Sequence, residues 1–274
     1  DSGVTGHRYC WLLEAGEYRF YVGTDVRSAA EKFTAELPET VVKQCRSALA
    51  PVTEFRRMKN DGGKLVYDDV PLTNDPDPHS HAKLPEELPQ TGDRGIKLAD
   101  VYSGKNTLEE FTAQLSDYDL SCIIRGEGMG SPKVTAGTAA AFGGVSDELK
   151  AMGVPCGCCS DGPSGMRLDC GTKAFSLPNG TLLASTFNRE LMTELFSYMG
   201  LEMHANQVDC LLGPGMNIHR HPLNGRNFEY FSEDPLLTGE IAAAELRGMH
   251  TAGVTGTIKH FCGNNRETRR HTLD

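Results

Sequence analysis

The sequence lacks any run of about eighteen consecutive apolar residues, the length that a membrane-spanning helix requires. Its first residues, Asp1-Ser2-Gly3-Val4, carry neither the basic start nor the apolar stretch of an export signal. Both absences point to a soluble, cytoplasmic chain with no membrane partner. An excess of basic residues is also missing: 27 Lys and Arg stand against 37 Asp and Glu, giving a net charge of -10. Nucleic acid is bound through a basic face, so it is set aside as a partner. A second C-x-x-C spacing is lacking too. Cys156-Gly157-Cys158-Cys159 stands alone and runs straight into Asp161-Gly162-Pro163, as the end of a buried strand would. Its thiols therefore read as small buried hydrophobes, with no metal or other cofactor implied. The odd number of cysteines, nine, suits a reducing compartment.

What is present suffices for one or two domains with a sizeable core in 274 residues. Residues 10–13 and 18–22 are strand-like runs. In the second, Tyr18, Phe20 and Val22 alternate with Arg19 and Tyr21, so one face is apolar. Separated by Glu14-Ala15-Gly16-Glu17, the two runs read as a hairpin, which cannot bury its face alone. Residues 41–58, with Val42, Cys45, Leu49, Val52 and Phe55 at mixed spacing around Pro51, form a connecting segment. From Lys59 to about residue 97 the composition turns to Gly, Pro and acidic residues, which reads as a linker or surface wrap. A helix starts near Asn106 or Thr107, with Leu108, Phe111 and Leu115 as its apolar stripe.

Three strand-like runs then recur, at residues 154–160, 208–212 and 256–261. Helical stretches lie between them: one from Phe187 with Leu191, Leu195, Tyr198 and Met199 on one side, and one from Leu236 with Ile241, Ala244, Leu246 and Met249. Strands separated by about fifty residues of helix and loop imply a parallel sheet with right-handed crossovers, for which a barrel is one of two closures. The runs end in polar residues: Asp161, the loop carrying Arg226, and Lys259-His260. Their loops should open on one rim. The longest of these loops runs from Leu212-Gly213-Pro214-Gly215 through Asn224-Gly225-Arg226-Asn227-Phe228-Glu229-Tyr230 to a helix start at Ser232-Glu233-Asp234-Pro235.

Three motifs in order make a specific resemblance. They are Asp161-Gly162-Pro163-Ser164-Gly165-Met166-Arg167, the loop from Leu212 to Pro235, and Lys259-His260-Phe261-Cys262-Gly263-Asn264-Asn265-Arg266-Glu267-Thr268-Arg269-Arg270. Together they resemble the barrel domain of glycoside hydrolase family 3, and its β-glucosidases in particular. Residues 16–23 resemble the last strands of a fibronectin-type-III-like domain, placed before the barrel as in members with reversed domain order. The resemblance implies an α/β fold: residues 1–58 would close a fibronectin-type-III-like β-sandwich, 59–105 would be linker, and 106–274 would form part of a (β/α)8 TIM-type barrel. It implies a β-glucoside or cello-oligosaccharide substrate and makes Asp161 the carboxylate that accepts hydrogen bonds from two hydroxyls of the non-reducing glucose. Arg167, Arg226, Lys259, His260 and Arg270 would line the same subsite. By itself an Asp before Gly-Pro is a turn former, and Arg226 a surface charge.

Retention requires two carboxyl groups about 5–5.5 Å apart. In the family the nucleophile belongs to a Ser-Asp-Trp-like motif, expected beyond Asp274, and the acid/base to a sandwich domain expected before Asp1. The chain thus reads as an interior fragment that works with flanking domains of the same polypeptide. Glu229, Glu233 and Glu267 are the formal alternatives within it. A non-catalytic sugar-binding or structural fragment is the competing reading. A family N-acetylhexosaminidase would carry Pro after Phe261, where Cys262 stands.

Overall fold

The structure, a computed structural model, describes His7 and residues 10–44, 54–70 and 86–272. Two compact units divide the chain, Asp1–Pro85 and Glu86–Leu273.

In the first unit, β1 (Cys10–Leu13), β2 (Gly16–Val22), β3 (Ala30–Leu37) and β4 (Thr40–Gln44) form antiparallel pairs. The expected hairpin of residues 10–13 with 18–22 does not occur, because β1 pairs with β4 and β2 with β3. Leu13 opposite Thr40 and Gly16 opposite Leu37 keep one register across the break, so the four strands are two arms of one long ribbon. The reversal sits instead at residues 23–29. There the Asp25 carboxylate accepts from the backbone N–H of Arg27 at 2.8 Å and of Ser28 at 2.9 Å, the side-chain device that makes Asp a turn former. Phe20 and Phe33, directly opposed, stack at 4.2 Å.

A third antiparallel pair joins β5 (Phe55–Asp61) to β6 (Lys64–Val70). Gly62 and Gly63 turn it with φ of 56° and 84°, the positive pair that a tight two-residue turn demands. The stretch read as linker from Lys59 therefore begins as paired strand. Residues 45–53 and 71–85, which hold Cys45, Leu49 and Val52 and the Pro-rich part of that stretch, lie outside the described residues.

The second unit begins with three short helices, α1 (Leu98–Tyr102), α2 (Leu108–Ala113) and α3 (Asp117–Arg125), followed by β7 (Ala140–Gly143), α4 (Asp147–Ala151) and β8 (Cys156–Asp161). Then come α5 (Gly180–Ala184), α6 (Arg189–Ala205), β9 (Cys210–Leu212), α7 (Pro235–Thr251) and β10 (Thr255–Gly256). β8, β9 and β10 are parallel, as the crossovers require, and β7 adds an antiparallel strand in the order β10-β9-β8-β7. The third strand is shorter than the run at residues 256–261. After Gly256 the chain leaves the sheet, and Lys259 makes a single bridge with Gly215.

The helix boundaries follow from side-chain caps. Thr107 accepts from Glu110 N–H, Asn188 from Leu191 N–H and Asp234 from Leu237 N–H, and Pro235 fills the first turn of α7. Helix α6 buries Met192, Phe196, Met199 and Met203, so of the expected stripe Met199 and the partly buried Leu195 face the core while Leu191 and Tyr198 do not. Leu191 is 44% exposed and Tyr198 60%. Both stripes are apolar at helical spacing, so periodicity alone could not choose between them. Helix α7 presents Ile241, Ala244 and Met249 to the same core, which Leu211 and Val208 complete. Likewise Leu108 is exposed on α2, whereas Phe111 and Leu115 pack on Ile96 and Leu149. Cys158, Cys159 and Cys210 are buried in β8 and β9 as small apolar groups.

Candidate functional site

The ends of the three parallel strands meet. Asp161 closes β8, the loop after β9 carries Arg226 to Tyr230, and Lys259 and His260 follow β10. Gly215 makes this approach possible: a Cβ there would sit 2.5 Å from the Glu229 carbonyl oxygen. That carbonyl belongs to a 3₁₀ turn, Asn227–Glu229, which turns the Glu229 side chain inward.

An alternating string of charges results. Lys259 Nζ donates to Asp161 Oδ1 at 2.7 Å and lies 3.7 Å from Glu229 Oε2. On the other side of Glu229, Arg226 Nε donates to Oε1 at 2.5 Å. Arg226 lies 3.9 Å from Glu267, which Arg270 pairs at 3.1 Å. Lys259 and Glu229 are the most enclosed members, with 14% and 5% of their side chains exposed. Each keeps a second partner, Asp161 for Lys259 and Arg226 for Glu229, so the enclosed charges are balanced from two sides. Burial pushes the Asp161 carboxyl up, but the hydrogen bond and charge of Lys259 and the Gly162 N–H outweigh it and hold the group below the usual carboxylate range. Glu267 is also held low, first by its bond from Asn264 and then, against the weaker pull of desolvation, by Arg270 and Arg226.

His260 is held by its backbone and its ring. Its N–H donates to Asn217 Oδ1 at 2.8 Å and its carbonyl accepts from Asn217 Nδ2 at 3.1 Å. Its Nδ1 lies 3.0 Å from the Tyr230 hydroxyl. That hydroxyl is 2.8 Å from Asn264 Nδ2, which in turn donates to Glu267 Oε1 at 2.9 Å. Burial, then the charges of Arg226 and Lys259, lower the ring's pKa, which favours the neutral imidazole.

The structure thus joins five of the six residues singled out from the sequence, namely Asp161, Lys259, Arg226, Arg270 and His260, through Glu229, Glu267, Asn264 and Tyr230. Arg167 stands apart. Its backbone N–H donates to the Asp161 carbonyl, but its guanidinium pairs with Asp169 at 3.0 Å and is 60% exposed. Of the linking residues, the sequence singled out Glu229 and Glu267 only as alternative catalytic carboxylates, and Tyr230 and Asn264 not at all. Glu229 left one readable signal, a carboxylate set between Phe228 and Tyr230 three positions after an Arg, which is how a buried ion pair looks in a 3₁₀ turn. Asn264 left none, because its partners come from 34 residues away as well as from its own loop. Among the described residues no three His, Cys, Asp or Glu side chains are placed to hold a metal, and no helix is long and apolar enough to cross a membrane.

Comparison with known proteins bears on what such a rim handles. Residues 91–272 match the family described as Glycosyl hydrolase family 3 N terminal domain. The whole chain is 66% identical to a β-glucosidase of Ruminococcus albus, of which it covers 29%. A solved β-glucosidase from Paenibacillus barengoltzii superposes with a TM-score of 0.83 at 51% identity, over 97% of this chain and 30% of that one. β-Glucosidase 3B from Thermotoga neapolitana, solved in complex with glucose, superposes with a TM-score of 0.53 at 38% identity over 59% of this chain and 24% of its own. The chain therefore spans about three tenths of the relatives it matches along its full length.

Proposed function

The chain belongs to glycosyl hydrolase family 3, and on that premise we propose that it supplies the glucose-binding subsite of a retaining β-glucosidase acting on terminal β-D-glucosyl residues. The matched residues take the TIM-barrel-like α/β fold of the family's N-terminal domain. The observation that carries the proposal is the charged rim, where Asp161, Lys259, Arg226 and His260 converge from three strand ends. A pyranose offers a ring of hydroxyls, each a donor and an acceptor. Fixed charges that bond them strongly also reject sugars lacking one, because a buried charged group is then left unpaired.

The same rim argues that the chemistry needs carboxylates from elsewhere in the polypeptide. Retention calls for a nucleophile and a proton-donating acid on either side of the scissile bond. Asp161, Glu229 and Glu267 are each committed to a cation, and Asp161 and Glu267 are held ionised, the wrong state for an acid. They orient a sugar, and binding that is equal in ground and transition states does not raise turnover. Residues 1–58 as the end of a fibronectin-type-III-like domain ahead of the barrel, the reversed order, are supported by the antiparallel ribbons and by the 97% of the chain that one β-glucosidase matches.

The test assays the purified chain on an aryl β-glucoside beside a polypeptide extended to the length of its relatives. We expect hydrolysis with retention from the extended form only. Equal rates from both would place the catalytic carboxylates inside this chain, and an inactive extended form would leave a non-catalytic sugar-binding fragment. An aryl N-acetyl-β-glucosaminide should be a poor substrate; a preference for it would move the protein to the hexosaminidase branch.

A further inference from the structure

We propose that Tyr230 is a positioning residue that fixes His260 as the tautomer protonated at Nε2, so that the ring offers a hydrogen-bond donor at the charged rim. The inference deepens the sugar-binding reading above and rests on it for the kinetic consequence, but not for the tautomer itself.

The argument is one of donor and acceptor arithmetic along four side chains. Glu267 is a carboxylate held ionised, so it can only accept. The Asn264 side-chain atom 2.9 Å from it must therefore be the amide nitrogen, which settles which way that amide points. The same nitrogen lies 2.8 Å from the Tyr230 hydroxyl and carries a second proton, so it donates there as well. The Tyr230 oxygen is thus an acceptor towards Asn264, and its own proton needs a partner. Tyr230 is fully buried, and among the described residues its hydroxyl has one other neighbour, His260 Nδ1 at 3.0 Å. An unpaired buried hydroxyl is costly, so the proton goes to Nδ1. Nδ1 then has no proton of its own. A neutral imidazole must carry its proton on Nε2, which pairs with nothing among the described residues and remains available to a ligand. Burial of Tyr230 raises its pKa, which keeps the hydroxyl protonated throughout. The rings meet edge to face at 6.2 Å and 82°, and the Asn217 clamp on the His260 backbone fixes where the imidazole hangs. Beside the charged groups of the rim, a donor at Nε2 complements the acceptor lone pairs of a sugar hydroxyl.

Two arms test this. In the first, the chain is labelled with ¹⁵N at histidine, and His260 is assigned by the signals lost in His260→Gln. Long-range ¹H–¹⁵N spectra at neutral pH should show protonation at Nε2 alone. Protonation at Nδ1 overturns the proposal. The paired substitution Asn264→Asp with Glu267→Gln keeps the net charge and the heavy-atom skeleton but reverses the relay, so Tyr230 would donate to the introduced carboxylate and accept from His260. We expect the proton to move to Nδ1; an unmoved proton overturns the proposal. In the second arm, Tyr230→Phe in the extended polypeptide keeps the ring packing and removes the hydroxyl. It should lower kcat/KM for an aryl β-glucoside by about tenfold, and a Phe variant equal to the parent overturns the proposal. A parent without activity would sink the β-glucosidase reading alone, since the spectra need no turnover.

Discussion

Lys259 Nζ lies 2.7 Å from Asp161 Oδ1 and joins the end of β8 to the loop after β10 across 98 positions of sequence. Because the pair is half-buried, the carboxyl is held low by its partner against a burial that raises it. Lys259→Met should therefore remove the largest opposition to burial, leaving the Gly162 N–H and the charge of Arg167, and raise the Asp161 pKa above its value in the parent. Carboxyl titration of Asp161 by NMR reads this directly. The sign for stability follows. The pair's contribution is whole above the ordinary carboxylate pKa and is lost as pH falls through the lowered folded value, so the parent should lose more stability than the Met variant on acidification below about pH 4.

Asp161→Asn keeps the shape and removes the charge that strengthens bonds from sugar hydroxyls. In the extended polypeptide we expect a loss of about 2–4 kcal/mol in transition-state stabilisation, read as kcat/KM on an aryl β-glucoside. Unchanged kinetics would take Asp161 out of the subsite.

Glu245 on α7 is buried with no charged partner among the described residues, and burial alone raises its carboxyl well above the usual range. A carboxyl whose folded pKa exceeds the unfolded one costs stability as pH rises from about 4.3 towards the folded value. The urea midpoint of the parent should fall relative to Glu245→Gln between acid and neutral pH. Parallel curves for the two would contradict this.

Gly248 and Gly239 lie on the same helix and should respond oppositely to alanine. A Cβ at Gly248 would meet the Thr193 carbonyl of α6 at 2.4 Å, while one at Gly239 would meet nothing within 4 Å. We expect Gly248→Ala to destabilise by about 1–3 kcal/mol through overpacking, and Gly239→Ala to stabilise by about 0.5–1 kcal/mol through helix propensity. Urea midpoints of the two variants decide it.

The parallel core could be read because each of its signals is local and chemical. Asp234 before Pro235 starts α7, the apolar spacing from Ile241 to Met249 carries it, and the polar ends of three runs point to one rim. Two features were not readable. The partner of β1 is set by a turn at Asp25, yet the shorter Glu14-Ala15-Gly16-Glu17 interval offers equal turn residues, so proximity in sequence misled. The burial of Met192 and Phe196 over Leu191 and Tyr198 depends on which face of α6 meets Gly248, a fact of tertiary packing. The site was legible as charges but not as connections. Its linking groups, Glu229, Tyr230 and Asn264, each also bond or pair with a group on another loop, distant in sequence.

The long ribbon of the first unit also bears on the order in which the molecule assembles. Its arms pair from the turn at residues 23–29 outwards, so each new cross-strand contact closes almost no extra loop, and such zipping takes microseconds. The parallel strands have no such route. Cys159 reaches Cys210 only after the chain between them has closed on itself, and Cys210 reaches Thr255 only after a second closure of similar span. Each closure gives up chain entropy before packing returns it, which slows the search. The Asp161–Lys259 contact spans both loops, so pulse-labelled hydrogen exchange should find protection in β2 and β3 well before it finds protection at the rim.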